Sequence, residues 1–301
     1  MTLDDAMIAA CQSVGVNPPK RPPMPGRWMR TDTYERNGKG DAEVMIQEDR
    51  RGVSVVNWQT GQRKTVRVDG SETATAPMRR DPAKEAREAA DRAEVSRICE
   101  AIVRSCRHDL HPYLARKGFP QELGLVHDNP RACLPPSPLG EAVARAMPEG
   151  DGPFLIVPGR IGKAVTTVQF IAADGAKKNI LRGVMSGASH RIATGQRLVV
   201  CEGIATALSV RAALRLLNVS ATVLSAFSAA NVAKVAAGQG FIAADHDKPL
   251  PQLHDKGTGE FYAAASGCRW SMPPVLGDFN DMHQRDGLRA VALHLREALM
   301  G

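Results

Sequence analysis

From Arg197 onward, short apolar segments alternate regularly with segments of helical periodicity. The predicted strands are Leu198–Cys201, Thr222–Ala226, Phe241–Ala244 and Cys268–Met272. The predicted helices are Ile204–Leu217, Ser228–Ala237, Glu260–Ser266 and Leu288–Leu299. Strands joined through a helix run parallel, because the helix returns the chain to the same edge of the sheet. The pattern therefore predicts a parallel sheet with helices on both faces over residues 196–301.

The sequence before this region predicts two further parts. Residues 1–76 begin with a short helix and continue into β-rich segments separated by turns, which predicts a small antiparallel β unit with a linker at 70–80. Residues 77–195 combine a long helix with an apolar hairpin and predict an α+β subdomain. We therefore expect an α/β protein of three parts, in which the parallel sheet comes last.

The positive charge of the chain is concentrated in the middle part. The formal net charge is +7, but residues 196–301 hold ten basic and nine acidic side chains, so the excess lies upstream. Residues 155–194 contain a single acid, Asp174, and six basic residues: Arg160, Lys163, Lys177, Lys178, Arg182 and Arg191. This bias indicates a polyanionic partner such as nucleic acid, and a solvated basic face is the simpler alternative.

The composition also argues against several classes of protein. None of the six cysteines forms a C-x-x-C pair, so the sequence predicts neither a zinc ribbon nor a disulfide framework, and we expect no zinc. The sequence has no run of eighteen apolar residues, and its first residues lack the basic start and apolar run of a signal peptide. We therefore expect a cytoplasmic protein without a membrane partner.

Acidic residues follow three of the four predicted parallel strands. Glu202 follows the first strand, Asp245 and Asp247 follow the third, and Asp278 and Asp281 follow the fourth. The carboxyl ends of parallel strands meet at one edge, where carboxylates would repel one another unless divalent cations neutralised them. Oxygen ligands suit Mg²⁺ or Mn²⁺, and a pair of such ions supports phosphoryl transfer. The spacing therefore predicts a site for two metal ions.

Each acidic motif also has a simpler interpretation. Glu202-Gly203 after a strand is often only a turn, and Asp245-His246-Asp247 could be a solvated loop or a cap. Asp278 and Asp281 could open a helix, where acids interact favourably with the helix dipole. The occurrence of all three motifs at strand ends of one alternating unit favours the metal site.

As a set, these motifs resemble the Toprim domain that bacterial primases, topoisomerases and related nucleases share. The resemblance implies that Glu202, Asp245 and Asp247 are catalytic and bind the metals, and that Glu202 can act as general acid or base. The pair Asp278 and Asp281 completes the expected set of metal ligands. Many primases have an acid where this chain has Thr206, so the resemblance does not place a metal ligand on that helix.

Upstream segments are similar to primases of phages and conjugative plasmids. The similar segments are Tyr113–Phe119, Leu155–Pro158, Gln169–Ile171, Asp174–Lys178 and Asn57–Gly61. The resemblance implies that the basic subdomain binds a single-stranded DNA template and nucleoside triphosphates. The expected binding residues are Lys177, Lys178, Arg182, Arg160 and Lys248. A replicative helicase, if one is engaged, would be supplied in trans.

The leading hypothesis is a DNA primase of a plasmid or phage that acts in DNA replication. It would be a nucleotidyltransferase that synthesises short primers on single-stranded DNA by two-metal phosphoryl transfer. One alternative is a Toprim nuclease, in which the same metals activate water to cut a phosphodiester. The other alternative is a non-catalytic DNA-binding accessory protein of a mobile element.

Overall fold

The computed structural model describes residues 1–35, 40–73, 82–150 and 152–300. The chain forms two compact units, residues 1–81 with 249–258, and residues 82–248 with 259–301. The predicted boundary at residue 76 and most of the predicted linker lie outside the described residues. None of the helices in the described ranges is long and apolar enough to cross a membrane.

The first unit pairs one helix with an antiparallel sheet. Helix α1 (Leu3–Ser13) begins with a capping box, in which the side chains and backbone N–H groups of Thr2 and Asp5 bond each other reciprocally. The strands pair in chain order: β1 (Met29–Thr31), β2 (Ala42–Ile46), β3 (Gly52–Asn57), β4 (Arg63–Arg67) and β5 (Glu72–Thr73). The small residues Ala6 and Ala10 let α1 lie close to β3 and β4. The antiparallel unit predicted for this region is present.

The second unit contains a second antiparallel sheet. Its spatial order is β10-β9-β8-β7-β6. The strands are β6 (Arg107–Asp109), β7 (Gly124–His127), β8 (Phe154–Ile161), β9 (Ala164–Ile171) and β10 (Lys177–Asn179). The associated helices are α2 (Pro82–Ser105), α3 (Pro112–Arg116) and α4 (Pro138–Ala146). Helices α2 and α4 cover one face of this sheet through residues such as Ile98, Ile102 and Val143.

The third sheet has the predicted alternation of strand and helix. Its order is β11-β13-β12-β14-β15, and all neighbours pair in parallel except β11 with β13. The strands are β11 (His190–Ala193), β12 (Arg197–Cys201), β13 (Ala221–Ser225), β14 (Phe241–Ala243) and β15 (Arg269–Ser271). The predicted parallel sheet is confirmed, and the structure adds the antiparallel edge strand β11.

Helices cover both faces of this third sheet. They are α5 (Ile204–Leu216), α6 (Ala229–Ala236), α7 (Thr258–Ala265), α8 (Phe279–Asp286) and α9 (Leu288–Met300). Because successive strand residues point to opposite faces, Val199 packs with α5, α8 and α9, whereas Val200 packs with α6 and α7. The predicted cover on both faces is therefore present.

Helix α5 joins the two sheets of the second unit. Ala207 and Val210 face the core of the parallel sheet. Ile204 and Leu208 pack with Tyr113 and other residues of the antiparallel sheet of this unit and its helices, which together are called the antiparallel part below. A helix that is apolar on both sides is buried on both sides. Residues 82–195 thus pack against the parallel sheet through α5, and the predicted boundary at residue 195 lies inside the second unit.

Polar contacts reinforce this junction. Arg211 on α5 donates two hydrogen bonds to the Glu122 carboxylate, at 2.9 and 2.6 Å, and these bonds lower the pKa of Glu122. Asn280 on α8 is fully buried, and its Nδ2 donates to the Lys117 carbonyl oxygen at 2.8 Å. Both contacts connect residues 82–195 directly to the helices of the parallel sheet.

Truncation of Leu208 tests the role of α5. We expect Leu208→Ala to lower the free energy of unfolding by about 2–5 kcal/mol, because it leaves a cavity where α5 contacts the antiparallel part. Leu216→Ala on the same helix is the matched control, because Leu216 is 56% exposed and Leu208 only 2%. Urea unfolding followed by circular dichroism measures both. Equal losses would contradict the packing described for α5.

Candidate active site

The predicted acidic residues lie where the order of the parallel strands reverses. Strand β12 lies between β13 and β14, so the chain leaves β12 in one direction and later returns on its other side. Ligands in open α/β sheets bind at such a point, beyond the carboxyl ends of the strands. Glu202 directly follows β12, and Asp245 lies two residues beyond the end of β14. Glu202 and Asp245 line one small cleft together with Gly259.

Asp245 is the acid whose surroundings are most unusual. Its Oδ1 is buried and has no hydrogen-bond partner in the described residues. Burial is the largest of the effects that together raise the pKa of Asp245 to about 8. The charges of Asp278, Asp247 and Asp281 act in the same direction, and the Lys177 ammonium opposes them. Within the residues that the structure describes, the buried Oδ1 of Asp245 thus lacks the hydrogen bond that a buried acid normally has, and Lys177 is the positive charge that acts on it.

Asp247 holds the loop that follows β14. Its Oδ2 accepts a hydrogen bond from the Gly259 N–H at 2.9 Å, near the start of α7. Gly259 has no tolerance for a side chain, because a Cβ there would clash with the Asp245 carbonyl oxygen. Gly259 is not among the site residues predicted from the sequence, because a single glycine twelve residues after Asp247 carries no recognisable signal for this contact.

Asp278 and Asp281 both have structural roles at the start of α8. Asp278 Oδ1 accepts from the N–H groups of Asn280 (2.7 Å) and Asp281 (2.9 Å), and Asp281 Oδ2 accepts from the Asp278 N–H at 3.1 Å. This is a capping box, the helix-opening role considered as the simpler interpretation. The two acids also lie close enough to Asp245 to raise its pKa. They are therefore helix caps and also members of the acidic centre, a name used below for Glu202, Asp245, Asp247, Asp278 and Asp281.

Two lysines of the antiparallel part reach this centre. Lys177, on β10, has its Nζ 5.5 Å from the centroid of the Tyr113 ring, and its charge lowers the pKa of Asp245. Lys117 Nζ lies 3.8 Å from Asp281 Oδ1. Lys177 is one of the binding residues predicted from the sequence. Lys117 is not, although Lys117 lies in the segment 113–119 that is similar to primases.

The other four predicted basic residues make different contacts. Lys178 donates to the Met147 carbonyl oxygen at 3.4 Å, as expected for a side chain on the opposite face of β10 from Lys177. Arg182 pairs with Asp91 on α2. Burial lowers the pKa of His190 to about 4, and the charge of Arg160, near the end of β8, adds to this shift. Lys248 is exposed in the loop after Asp247. Their role in binding nucleic acid stays a prediction.

The donor chemistry of this centre fits a divalent cation. Carboxylate oxygens are preferred ligands of Mg²⁺, and the buried Asp245 Oδ1 lacks a partner that such an ion would provide. Within the described ranges, no three His, Cys, Asp or Glu side chains already form a group that could hold a metal. We therefore propose that the ligands are Glu202, Asp245 and Asp247. The grounds are their oxygen donors and the missing hydrogen-bond partner of the buried Asp245 Oδ1 among the described residues.

Comparison with known proteins identifies the domain that carries this centre. Residues 197–289 match the family model of the Toprim domain, so the chain contains a Toprim domain, as the acidic motifs predict. No curated protein sequence matches the chain significantly. Among solved structures, the primase fragment of the bacteriophage T7 primase-helicase protein is similar at 17% identity and a TM-score of 0.36. That match covers 52% of this chain and 70% of the phage fragment. The assignment of the domain rests on the family match.

The raised pKa of Asp245 predicts a pH-dependent stability. Folded Asp245 keeps its proton up to about pH 8, whereas the unfolded chain loses it near 3.8. Between these values the folded state binds the extra proton, so the contribution of Asp245 to stability falls as pH rises from about 4 to about 8. In EDTA, Asp245→Asn should therefore be more stable than the unaltered chain by a margin that grows with pH.

Thermal unfolding at pH 5 and pH 8 in EDTA measures this effect. We expect an advantage of a few kcal/mol at most for the asparagine variant at pH 8, since each pKa unit corresponds to about 1.4 kcal/mol. Added Mg²⁺ should stabilise the unaltered chain and not the variant. Glu141→Gln is the control, because the Glu141 side chain is 72% exposed. If the difference in stability between Asp245→Asn and the unaltered chain did not change with pH, the burial described for Asp245 would be contradicted.

Substitution of Asp278 separates its two roles. Asparagine caps helices about as well as aspartate, so Asp278→Asn should leave stability nearly unchanged, whereas Asp278→Ala should cost about 1 kcal/mol. Both variants remove a charge that raises the pKa of Asp245. If Asp278 acts only as a cap, Asp278→Asn will keep full Mg²⁺-dependent stabilisation. A loss of that stabilisation in both variants, measured by melting with and without Mg²⁺, would place Asp278 in the metal site.

Proposed function

We propose that this chain is a primase-like nucleotidyltransferase that makes short primers on single-stranded DNA. The observation that carries the proposal is the buried Asp245 Oδ1, which has no hydrogen-bond partner among the described residues and lies where the strand order of a Toprim domain reverses. Burying an acid without a partner destabilises a fold, so its retention at this position favours a functional role.

The acidic residues would hold the divalent cations. Glu202, Asp245 and Asp247 would supply the ligands, with Asp278 or Asp281 as a further contributor. When bound, Mg²⁺ or Mn²⁺ would neutralise phosphate charge and favour ionisation of the attacking hydroxyl. The capping box at Asp278 and the Asp247–Gly259 hydrogen bond would keep these carboxylates oriented.

Glu202 and Lys177 would position the reacting groups. In the reaction, the primer 3′ oxygen bonds to the α-phosphorus of a nucleoside triphosphate, the bond to the bridging oxygen breaks, and pyrophosphate leaves. Glu202, half-buried beside Asp245, would accept the proton of the 3′ hydroxyl. Lys177 would interact with the phosphates of the incoming nucleotide, since it is the predicted basic residue whose charge acts on Asp245.

Basic residues of the antiparallel part, together with Lys248 from the loop after Asp247, would bind the template strand. Arg160, Lys178, Arg182 and Lys248 are the proposed contacts to phosphates, and their binding would weaken as salt rises. Each ion pair or carbonyl contact that these residues now make lies near the surface and would exchange for a phosphate at little cost. Single-stranded DNA and nucleoside triphosphates are thus the proposed partners.

A Toprim nuclease is the second candidate for the same carboxylates. In a nuclease, water would replace the 3′ hydroxyl as the attacking group, and no triphosphate would be needed. The lysine beside Asp245 favours the nucleotidyltransferase, because a triphosphate brings more negative charge to this corner than a single phosphodiester does.

The proposal is tested by primer synthesis on single-stranded DNA with labelled nucleoside triphosphates and Mg²⁺ or Mn²⁺. We expect short products from the unaltered chain, a loss of at least a hundredfold in Asp245→Asn, and no loss in the surface control Glu141→Gln. Cleavage of the template without primer products would assign the chain as a nuclease. Salt-sensitive DNA binding with neither activity would leave only a binding role.

A further inference from the structure

The start of α5 contains an open space that no side chain fills. Gly203 is the N-cap residue of α5 and provides no side-chain cap for the first N–H groups of the helix. Its backbone angles, φ −97° and ψ 157°, are open to any residue, so the local conformation does not require glycine. A Cβ built on Gly203 would meet only Thr206 Oγ1 at 3.6 Å and Lys177 Nζ at 3.9 Å among atoms within 4 Å.

The Thr206 hydroxyl is a buried polar group without a partner. Thr206 is 0% exposed, and its Oγ1 has no hydrogen-bond partner in the described part of the chain. Threonine within a helix usually bonds a carbonyl oxygen of the preceding turn, and a buried hydroxyl that bonds nothing destabilises the fold. Its oxygen instead lies beside the space next to Gly203. A ligand in that space would satisfy the hydroxyl.

Three features beside this space favour an anion, although Glu202 directly precedes Gly203 in the chain. Lys177 supplies a positive charge from β10, and contact with the Tyr113 ring restricts where that charge can lie. The N-terminus of α5, a helix of thirteen residues, presents N–H groups without intrahelical partners and the positive end of the helix dipole. The Thr206 hydroxyl is the third feature, because it can donate a hydrogen bond to an anion. A cation would be repelled by two of these three features.

We propose that Gly203, Thr206 and Lys177 form a subsite that binds a phosphate group. Glycine at position 203 keeps this space free of a side chain, and the hydroxyl, the ammonium and the helix N-terminus supply the hydrogen-bond donors. The identity of the phosphate rests on the proposed function, since it could belong to a nucleoside triphosphate or to the backbone of a DNA strand. Binding itself requires no catalysis and can be measured separately.

Substitutions at three positions test the subsite. Gly203→Ala places a methyl group in the space at ordinary van der Waals distance from its neighbours, so the variant should fold. Thr206→Val removes the hydroxyl at nearly constant shape, and Thr206→Ser restores a hydroxyl as the matched control. Lys177→Met removes the charge and keeps most of the side chain that contacts Tyr113.

Two probes distinguish the sources of the phosphate. Isothermal titration with inorganic triphosphate represents the nucleotide, and fluorescence anisotropy with labelled oligothymidylate represents the strand, each with and without Mg²⁺. Thr206→Val should weaken the binding of one probe by about tenfold or more, as expected for losing a hydrogen bond to a charged group. Gly203→Ala should weaken the binding of the same probe, because its methyl group occupies the space. Thr206→Ser should bind within about twofold of the unaltered chain. Lys177→Met should also lower the slope of log affinity against log salt for oligothymidylate, by about 0.7 if the strand is bound.

Thermal melting provides a second signature. Replacing an unpartnered buried hydroxyl by a methyl group is neutral or stabilising, so Thr206→Val should melt at the same or a higher temperature while it binds phosphate less well. Weakened binding together with retained stability supports the subsite, and the affected probe identifies the source of the phosphate. Unchanged binding of both probes by Gly203→Ala and Thr206→Val overturns the subsite.

The outcome is independent of the primer assay. Weakened probe binding in the variants, with no primer synthesis by the unaltered chain, would refute the proposed function and retain the subsite. Primer synthesis by the unaltered chain, with variants that bind both probes normally, would retain the function and refute the subsite.

Discussion

The packing of α5 between two sheets is the constraint on which the second unit depends. Nine of its thirteen residues are buried, and they face the parallel sheet on one side and the antiparallel part on the other. Because a helix buried on both sides has little freedom to shift, its N-terminus is held at the carboxyl end of β12. This placement brings Glu202, Gly203 and Thr206 beside β10, so that Lys177 from a different sheet reaches the acidic centre.

The acidic centre combines structural and chemical roles in the same side chains. Asp278 and Asp281 cap α8, and Asp247 holds the start of α7, so each of these carboxylates is oriented by backbone N–H groups. Their charges add to the burial of Asp245 and raise its pKa to about 8. Caps and hydrogen bonds elsewhere offset the instability of one unsatisfied carboxylate. This arrangement is typical of sites that are completed by a charged ligand.

Sequence reasoning predicted the elements whose signals are local. The alternation after Arg197 predicted the parallel sheet, because apolar runs and helical periodicity can be recognised in short windows. It did not predict α4, although Ser137 as the N-cap and Pro138 at the first helical position are local signals of a helix start. It also did not predict β11, a short edge strand paired antiparallel with β13, because that strand depends on pairing with a distant segment. For the same reason Lys117 and Gly259 could not be assigned to the site from their local sequence.

The sequence alone determined the class of the C-terminal domain and which acids follow its strands. It did so because strand and helix periods, and the position of an acid after an apolar run, are properties of neighbouring residues. Only the tertiary structure decided which charges act on one another. Lys177 lies 68 positions before Asp245, and its effect on that carboxylate arises from packing of the antiparallel part against α5. The unpartnered oxygens of Asp245 and Thr206 are likewise results of packing, since burial and the absence of a partner depend on residues distant in sequence.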